Sequence, residues 1–153
     1  MVFADVEKLG YLIPVLCDFF RQRWIASGES FTFETVMSGA DKLDVLTLAK
    51  KRDYRTYLYY ICTDDVSINE ARISNRVVRG GHSVPAEKVA PRYDRSLGQL
   101  PNAITSVDRA YVFDNSGRSH SLIATFENGR VVEIFGNTQP RWFVEGALNK
   151  LQS

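Results

Sequence analysis

The stretch RTYLYYICTDD, residues Arg55–Asp65, decides the fold. Its first eight residues are rich in β-formers and are apolar at odd and even positions alike. That composition predicts a strand buried on both faces within a sheet. The residues that follow, Val66–Arg79, have helical spacing and are closed by a glycine pair. A buried strand is therefore expected to lead directly into a helix.

A second predicted strand and a helix precede this stretch. Ser30–Phe33 alternates serine or threonine with phenylalanine and predicts a strand, and Asp41–Arg52 predicts a helix. Strand, helix and strand in this order form a crossover unit, so Ser30–Phe33 and Arg55–Cys62 are expected to be parallel. The ends that carry Glu34 and Asp64 then lie on one side of the sheet, which is where ligands bind in open α/β sheets.

The rest of the chain supplies five further predicted features. They are a helix at Tyr11–Ser27, a helix beginning at Pro85, a strand at Arg109–Phe113, a hairpin with Asn128 and Gly129 at its tip, and a helix at Pro140–Leu151. The expected fold class is α/β, a parallel sheet flanked by helices, with a C-terminal β-hairpin and helix. One domain over residues 1–153 is expected, because one core commonly serves a chain of this length.

Composition narrows the classes of function. Lysine and arginine total 19 against 18 acidic residues, so overall charge gives no reason to expect nucleic acid or an anionic membrane as partner. Cys17 and Cys62 lie in apolar stretches without the spacing of a metal or redox site, and predict reduced, buried cysteines. No apolar run approaches the roughly 20 residues that span a bilayer. A cytoplasmic protein without a metal site is expected.

One basic segment stands out. Arg72, Arg76 and Arg79 recur at intervals of four and three, which brings all three to one helical face. Arg92 and Arg95 repeat the spacing on the next predicted helix. Guanidinium groups offer planar, bidentate donors to phosphoryl oxygens, so the two rows are a candidate phosphate clamp. The alternative is a solvated basic face with carboxylate partners, and spacing alone leaves both open.

Polar residues that follow the first predicted strand are candidates for substrate binding. Glu34 is placed to bind a substrate hydroxyl or to act near a metal, and Thr35 and Ser38 add hydroxyl donors. Ser38 by itself is better explained as a cap of the helix that begins near Asp41.

Two other polar groups have structural explanations. Asp64 and Asp65 follow a strand where a Walker-B-like aspartate could stand, but capping of the next helix is the favoured interpretation. Asp114–Gly117, of sequence DNSG, has turn chemistry throughout, so a turn is expected there. No residue is assigned as catalytic.

Five segments of the chain carry a family resemblance. They are SFTFETVMSG from Ser30, YLYYICTDD from Tyr57, NEARISNRVVRGGHSVP from Asn69, RYDRSL from Arg92 and RAYVFDNSG from Arg109. Together, and in this order, they resemble the zeta-toxin-like family of P-loop kinases and predicted ATPases. The resemblance implies a nucleotide-kinase-like fold and phosphorylation of UDP-N-acetylglucosamine or a related acceptor, with ATP and Mg²⁺ as cofactors.

The resemblance also implies roles for individual residues. The matches are Glu34 and Thr35 to a substrate-side F-x-E-T block, Arg76, Arg79 and Arg92 to lid blocks that meet phosphates, and Asp114 and Asn115 to a block near the nucleotide base. A protein partner is implied as well, either an antitoxin or a separately encoded N-terminal half.

The chain departs from the family in one feature. The family begins with a strand and a Gly-x-x-x-x-Gly-Lys-Ser/Thr loop, and these 153 residues contain no such loop. Phosphoryl transfer depends on that loop's lysine and amides, so the chain is expected to be an inactive C-terminal portion when alone. In this topology the missing strand lies between Ser30–Phe33 and Arg55–Cys62, and its absence would leave edges unpaired.

Three functions remain open from the sequence. The first is a small-molecule kinase whose N-terminal half is encoded separately or was lost. The second is a non-catalytic remnant that binds phosphate or nucleotide. The third and weakest is a nucleic-acid-binding module, which would need exposed aromatic residues between the basic ones.

Overall fold

The computed structural model describes residues 12–151. The chain divides into two compact units, Met1–Glu34 and Thr35–Ser153. The expectation of one zeta-toxin-like domain over the whole chain stays a prediction. Within the described residues, no helix is both long and apolar enough to cross a membrane.

The described part of the first unit, residues 12–34, contains one helix and a segment that folds back on it. Helix α1 is Leu12–Ser27, which confirms the predicted helix except for Tyr11, which lies outside the described residues. The chain then reverses through Gly28, at φ +76°. Phe31 packs on Trp24 with ring centroids 5.3 Å apart, and the Arg21 guanidinium lies 5.0 Å from the centre of the Phe33 ring. Aromatic side chains hold the segment against the helix.

Two predictions in this unit are wrong. Ser30–Phe33 forms no strand, so the predicted crossover unit with Arg55–Cys62 is absent. A strand needs a neighbouring strand for its backbone groups, and the described part of this unit offers a helix instead. Cys17 is exposed rather than buried, because the returning segment covers α1 only around Arg21 and Ile25, a turn or more further along the helix.

The second unit is built on a four-stranded sheet. Its strands are β1 (Tyr57–Cys62), β2 (Arg109–Asp114), β3 (Ser121–Glu127) and β4 (Arg130–Ile134), in the spatial order β1-β2-β3-β4. β1 and β2 are parallel, with Tyr57 opposite Arg109 and Cys62 opposite Asp114, as the sequence predicted. The other two pairs are antiparallel. The α/β class is confirmed, and the sheet is mixed.

The β3–β4 hairpin turns at Asn128 and Gly129, as predicted. Both residues have positive φ, 50° and 79°, the conformation that two-residue hairpin turns require and that Asn-Gly adopts most easily. Gly129 also lies close to Thr105, because a Cβ built on it would be 3.2 Å from the Thr105 methyl carbon.

The second unit also contains helices. They are α2 (Asp41–Lys50), α3 (Val66–Val78), α4 (Val89–Thr105), preceded by a 3-10 turn at Ala86–Lys88, and a C-terminal helical segment of three parts, Arg141–Phe143, the π-helical Val144–Leu148, and Asn149–Leu151. Helix α2, helix α4 and the C-terminal segment cover one face of the sheet, whereas α3 contacts α4 and has no buried residue. Asp65 caps α3 by accepting the Ser67 N–H at 2.7 Å, which confirms its predicted capping role. Gly146 brings the C-terminal segment close to α4, since an added Cβ would lie 2.6 Å from Leu97.

The core lies between this helical layer and one face of the sheet. Its fully buried side chains include Leu100, Ile104, Val112, Phe126 and Phe143. Cys62 is buried in the same cluster, as predicted.

The opposite face of the sheet is open. Tyr57, Tyr59 and Ile61 alternate with the buried residues of β1 and are 46%, 63% and 57% exposed. The prediction that β1 is buried on both faces is therefore wrong, although its outward residues are apolar. Tyr59 stacks on Tyr111 of β2, with ring centroids 5.1 Å apart, so the open face carries an aromatic pair.

Candidate functional site

The structure brings three of the predicted phosphate-binding arginines to one groove. Arg72, Asn75, Arg76, Arg79 and Gly81 line it, and its volume is about 440 Å³. The groove runs along the exposed side of α3 and ends at the turn that follows this helix.

The three arginines differ in what their guanidinium groups contact. Arg72 donates from Nη2 to the carbonyl oxygens of Asn115 at 2.7 Å and Gly117 at 3.3 Å. Arg76 and Arg79 form no ion pair and no side-chain hydrogen bond with any residue between 12 and 151. Arg72 therefore ties α3 to the loop after β2, whereas the guanidinium donors of Arg76 and Arg79 have no acceptor among the described residues.

The turn after α3 shapes the end of the groove. Gly80 has φ +85°, its N–H donates to the Val77 carbonyl at 2.9 Å, and the Gly81 N–H donates to the Arg76 carbonyl at 2.9 Å. These two bonds are those of a Schellman motif, in which glycine at the left-handed position ends a helix. Sequence reasoning identified the glycine pair as a helix stop but missed its contact with the groove.

The second arginine row lies elsewhere in this unit. Arg92 and Arg95 are on α4 and do not line the groove. The Arg95 Nε donates to the Ser38 carbonyl at 3.3 Å, and the Gln99 side chain donates to the Met37 carbonyl at 2.9 Å. Helix α4 thus fixes the loop that precedes α2. Phosphate binding by Arg92 and Arg95 stays a prediction.

The predicted substrate-side residues lie before α2. Glu34 is exposed at the end of the first unit. The Thr35 hydroxyl accepts the Met37 N–H at 3.0 Å, in a local turn that puts Met37 at φ 54°. Ser38 does not cap α2, because the N-cap residue is Ala40 and no side chain bonds there. The helix begins at Asp41 as expected, but the N-cap position falls on Ala40, two residues after Ser38, so the capping prediction for Ser38 is wrong.

Asp114 belongs to a hydrogen-bonded turn. Its Oδ1 accepts the Ser116 hydroxyl at 2.7 Å and the Trp142 indole N–H at 3.1 Å. The Ser116 hydroxyl oxygen in turn accepts the Asp64 N–H at 2.7 Å, and the Asn115 N–H donates to the Cys62 carbonyl at 2.7 Å. The expected turn is confirmed, and it locks the carboxyl ends of β1 and β2 together. No sequence signal indicated Trp142.

Two tyrosines, Tyr93 of α4 and Tyr60 of β1, are also hydrogen-bonded. The Tyr93 hydroxyl donates to the Thr63 carbonyl at 2.8 Å, and the Tyr60 and Ser96 hydroxyls lie 3.3 Å apart. Burial raises the pKa of both phenols well above its ordinary value, and burial raises the pKa of the Cys62 thiol as well. All three groups stay protonated at neutral pH, which fits hydrogen bonding rather than proton transfer.

Comparison with known proteins gives one partial match and two negative results. No protein-family model matches the chain, and no solved structure matches it. A protein of Haemophilus influenzae strain Rd, described as uncharacterized, is 36% identical over 63 residues, or 41% of this chain and 45% of that protein. The chain therefore spans less than half the length of the curated relative it matches.

Proposed function

We propose that this chain is the phosphate-binding and substrate-side portion of an ATP-dependent small-molecule kinase of the zeta-toxin type. Its substrate would be UDP-N-acetylglucosamine or a related acceptor. The observation that carries the proposal is the groove along α3, in which Arg76 and Arg79 lie without a carboxylate partner among the described residues. A phosphate group supplies the charge and the acceptors that such a pair of guanidinium groups lacks.

The alternative is that these arginines stabilise helix α3, which would contribute less free energy than binding a phosphate. Cations near a helix C-terminus complement its dipole and stabilise it by about 0.3–1 kcal/mol, and both residues lie at the end of α3. A charge-assisted hydrogen bond to a ligand contributes about 1.5–3 kcal/mol. The first effect appears in the stability of the free protein and the second only in ligand affinity, so the two are separable.

The proposal assigns binding, and not transfer, to these 153 residues, because the sequence has no Walker A lysine. ATP and Mg²⁺ would be positioned largely by a P-loop that these 153 residues do not contain. The non-catalytic alternative, a phosphate- or nucleotide-binding regulator, uses the same groove and requires no such loop.

The edge of β1 supports docking of a P-loop-bearing half. The Thr56 and Cys62 carbonyls accept N–H groups of Arg109 and Asn115, at 3.1 and 2.7 Å. Even-numbered residues of β1 therefore turn their backbone groups toward β2, and odd-numbered residues turn theirs to an edge with no described strand beside it.

The two edge strands of the sheet, β1 and β4, differ in whether they carry charged side chains. Edge strands commonly carry charges that prevent unwanted pairing. β4 has Arg130 and Glu133, whereas Tyr57–Cys62 has no charged residue. A parallel strand pair is also normally covered on both faces, and β1 is open on one. We propose that a strand of the P-loop half pairs with β1.

Calorimetric titration of the full chain with inorganic phosphate and with ADP at low salt tests the phosphate site. Arg76→Ala and Arg79→Ala should each weaken binding roughly tenfold or more. Arg52→Ala is the matched control. Arg52 is also an exposed arginine, but it lies before the N-terminal end of β1, whereas the groove lies along α3, after the C-terminal end of β1. Equal phosphate affinities in all three variants would show that Arg76 and Arg79 stabilise α3 and do not bind phosphate.

A further inference from the structure

Gly81 holds an unusual position relative to Arg76. A Cβ built on Gly81 would lie 2.5 Å from the Arg76 Cγ, 3.2 Å from its Cδ and 3.0 Å from its carbonyl oxygen. Side-chain carbons in real proteins essentially never approach to less than about 3 Å without displacement of one group. The aliphatic part of Arg76 thus occupies the space that any other residue at position 81 would need.

The neighbouring glycine serves a different purpose. Gly80 adopts φ +85°, and a Cβ added to it would meet no atom within 4 Å. Gly80 is therefore required by backbone conformation, which is the usual reason for glycine at the end of a helix. Gly81 has no positive φ, so the helix stop does not explain it. In a Schellman motif a hydrophobic residue at this second position commonly contacts the residue that here is Arg76.

We infer that Gly81 is a positioning residue for the phosphate groove, acting through Arg76. Its lack of a side chain lets the Arg76 stem lie across the turn, and this directs the guanidinium into the groove that both residues line. The inference rests on the proposed function, because it assumes that Arg76 meets the phosphate. Gly81 itself offers the ligand nothing, since its N–H is already donated to the Arg76 carbonyl.

A double-mutant cycle tests the inference, with inorganic phosphate as the probe and shifts of α3 amide signals as the measurement. Gly81→Ala should weaken phosphate binding several-fold in the wild-type background, up to the roughly tenfold loss of one charge-assisted contact. In the Arg76→Ala background the same substitution should change affinity by less than about twofold, because no stem remains to be displaced. Gly98→Ala, on an exposed part of α4 with no atom within 4 Å of the added carbon, is the control.

The possible outcomes distinguish a failure of this inference about Gly81 from a failure of the proposed phosphate-binding function. If Arg76→Ala leaves phosphate affinity unchanged, the proposed function fails. If Arg76→Ala weakens binding but Gly81→Ala does not, or weakens it equally in both backgrounds, Gly81 does not act through Arg76. Should Gly81→Ala not fold, nuclear Overhauser contacts between the Gly81 α protons and the Arg76 γ protons in the wild-type chain decide instead. Their absence would overturn the inference.

Discussion

Asp108 and Thr56 lie 52 residues apart and bond to each other in both directions. Asp108 Oδ2 accepts the Thr56 N–H at 2.7 Å and the Thr56 hydroxyl at 2.9 Å, and the Asp108 N–H lies 3.0 Å from the same hydroxyl oxygen. The pair joins the chain just before β1 to the chain just before β2. It therefore fixes the relative position of the two parallel strands at the end of the sheet opposite the groove.

This pair predicts a pH-dependent contribution to stability. The Thr56 N–H is the main cause that lowers the pKa of Asp108 below its ordinary value. A carboxyl whose native pKa is lowered stabilises the fold above its unfolded value, about 3.9, and loses that contribution as pH falls through the native value. Asp108→Asn should lower the free energy of unfolding by about 1 kcal/mol at pH 7, with a smaller difference at pH 3.

Urea unfolding at the two pH values measures this difference. The control is Asp94→Asn, an exposed carboxyl on α4, which should change stability little at either pH. A difference between wild type and Asp108→Asn that is the same at pH 3 and pH 7 would contradict the prediction.

Salt should weaken phosphate binding strongly at the groove. Arg76 and Arg79 are exposed, and screening shortens the range of exposed charges to about 10 Å at 0.1 M salt. Phosphate affinity measured by calorimetry should fall steadily between 20 and 200 mM sodium chloride, two concentrations chosen to span roughly that screening range. Arg72→Ala should also lower the melting temperature, since among the three groove arginines Arg72 is the one whose guanidinium bonds to the loop after β2. Salt-independent binding would argue against an ionic site.

The chain alone should not transfer phosphate. A single preorganised donor is typically worth about 10² to 10³ in rate, and the lysine and amides of a P-loop are absent together. The assay incubates the full chain with labelled ATP, Mg²⁺ and a panel of nucleotide sugars including UDP-N-acetylglucosamine. Magnesium-dependent transfer that disappears in Glu34→Ala or Arg76→Ala would contradict this prediction.

Association with a P-loop-bearing half should depend on the edge of β1. Tyr59→Lys introduces a charge on an edge strand, where lysine opposes pairing. We expect it to weaken binding of the N-terminal half of a full-length relative at least tenfold, measured by calorimetry or pull-down. Val132→Lys on β4, at a residue of similar exposure, 61% against 63%, should bind normally. Equal binding by both variants would exclude β1 as the docking edge.

The hairpin turn predicts a local effect on stability. Gly129→Ala should lower the free energy of unfolding by about 1–2 kcal/mol, because alanine resists positive φ and the added carbon crowds Thr105. Gly98→Ala, in a helix with open space, should instead be neutral or stabilising by up to about 1 kcal/mol. Thermal unfolding of both variants compares them directly. A larger loss of stability in Gly98→Ala than in Gly129→Ala would contradict this prediction.

Features set by local chemistry could be predicted from the sequence. Asn128-Gly129 specifies its own turn, and Asp65 caps the helix that begins one residue later. The strands β1 and β2 were predictable because their composition excludes a solvated helix.

Features set by distant partners could not be predicted. Ser30–Phe33 alternates like a strand, but alternation equally suits two phenylalanines that pack on a helix, and only the neighbouring structure decides between them. The exposure of one face of β1 could not be predicted, because the residues on its exposed face are as apolar as those on its buried face. The three arginines looked equivalent at helical spacing, but Arg72 finds its carbonyl partner 43 residues away.

If the proposed strand of a P-loop-bearing half pairs with the uncharged edge of β1, the yield of this polypeptide would depend on the supply of that strand. An unpaired, apolar strand is a template on which further chains can add, and such addition grows with concentration. Under the proposed pairing, copies produced in excess of that strand would compete among themselves for the edge of β1 and enter aggregates or inclusion bodies. The surplus would become a substrate for chaperones and proteases.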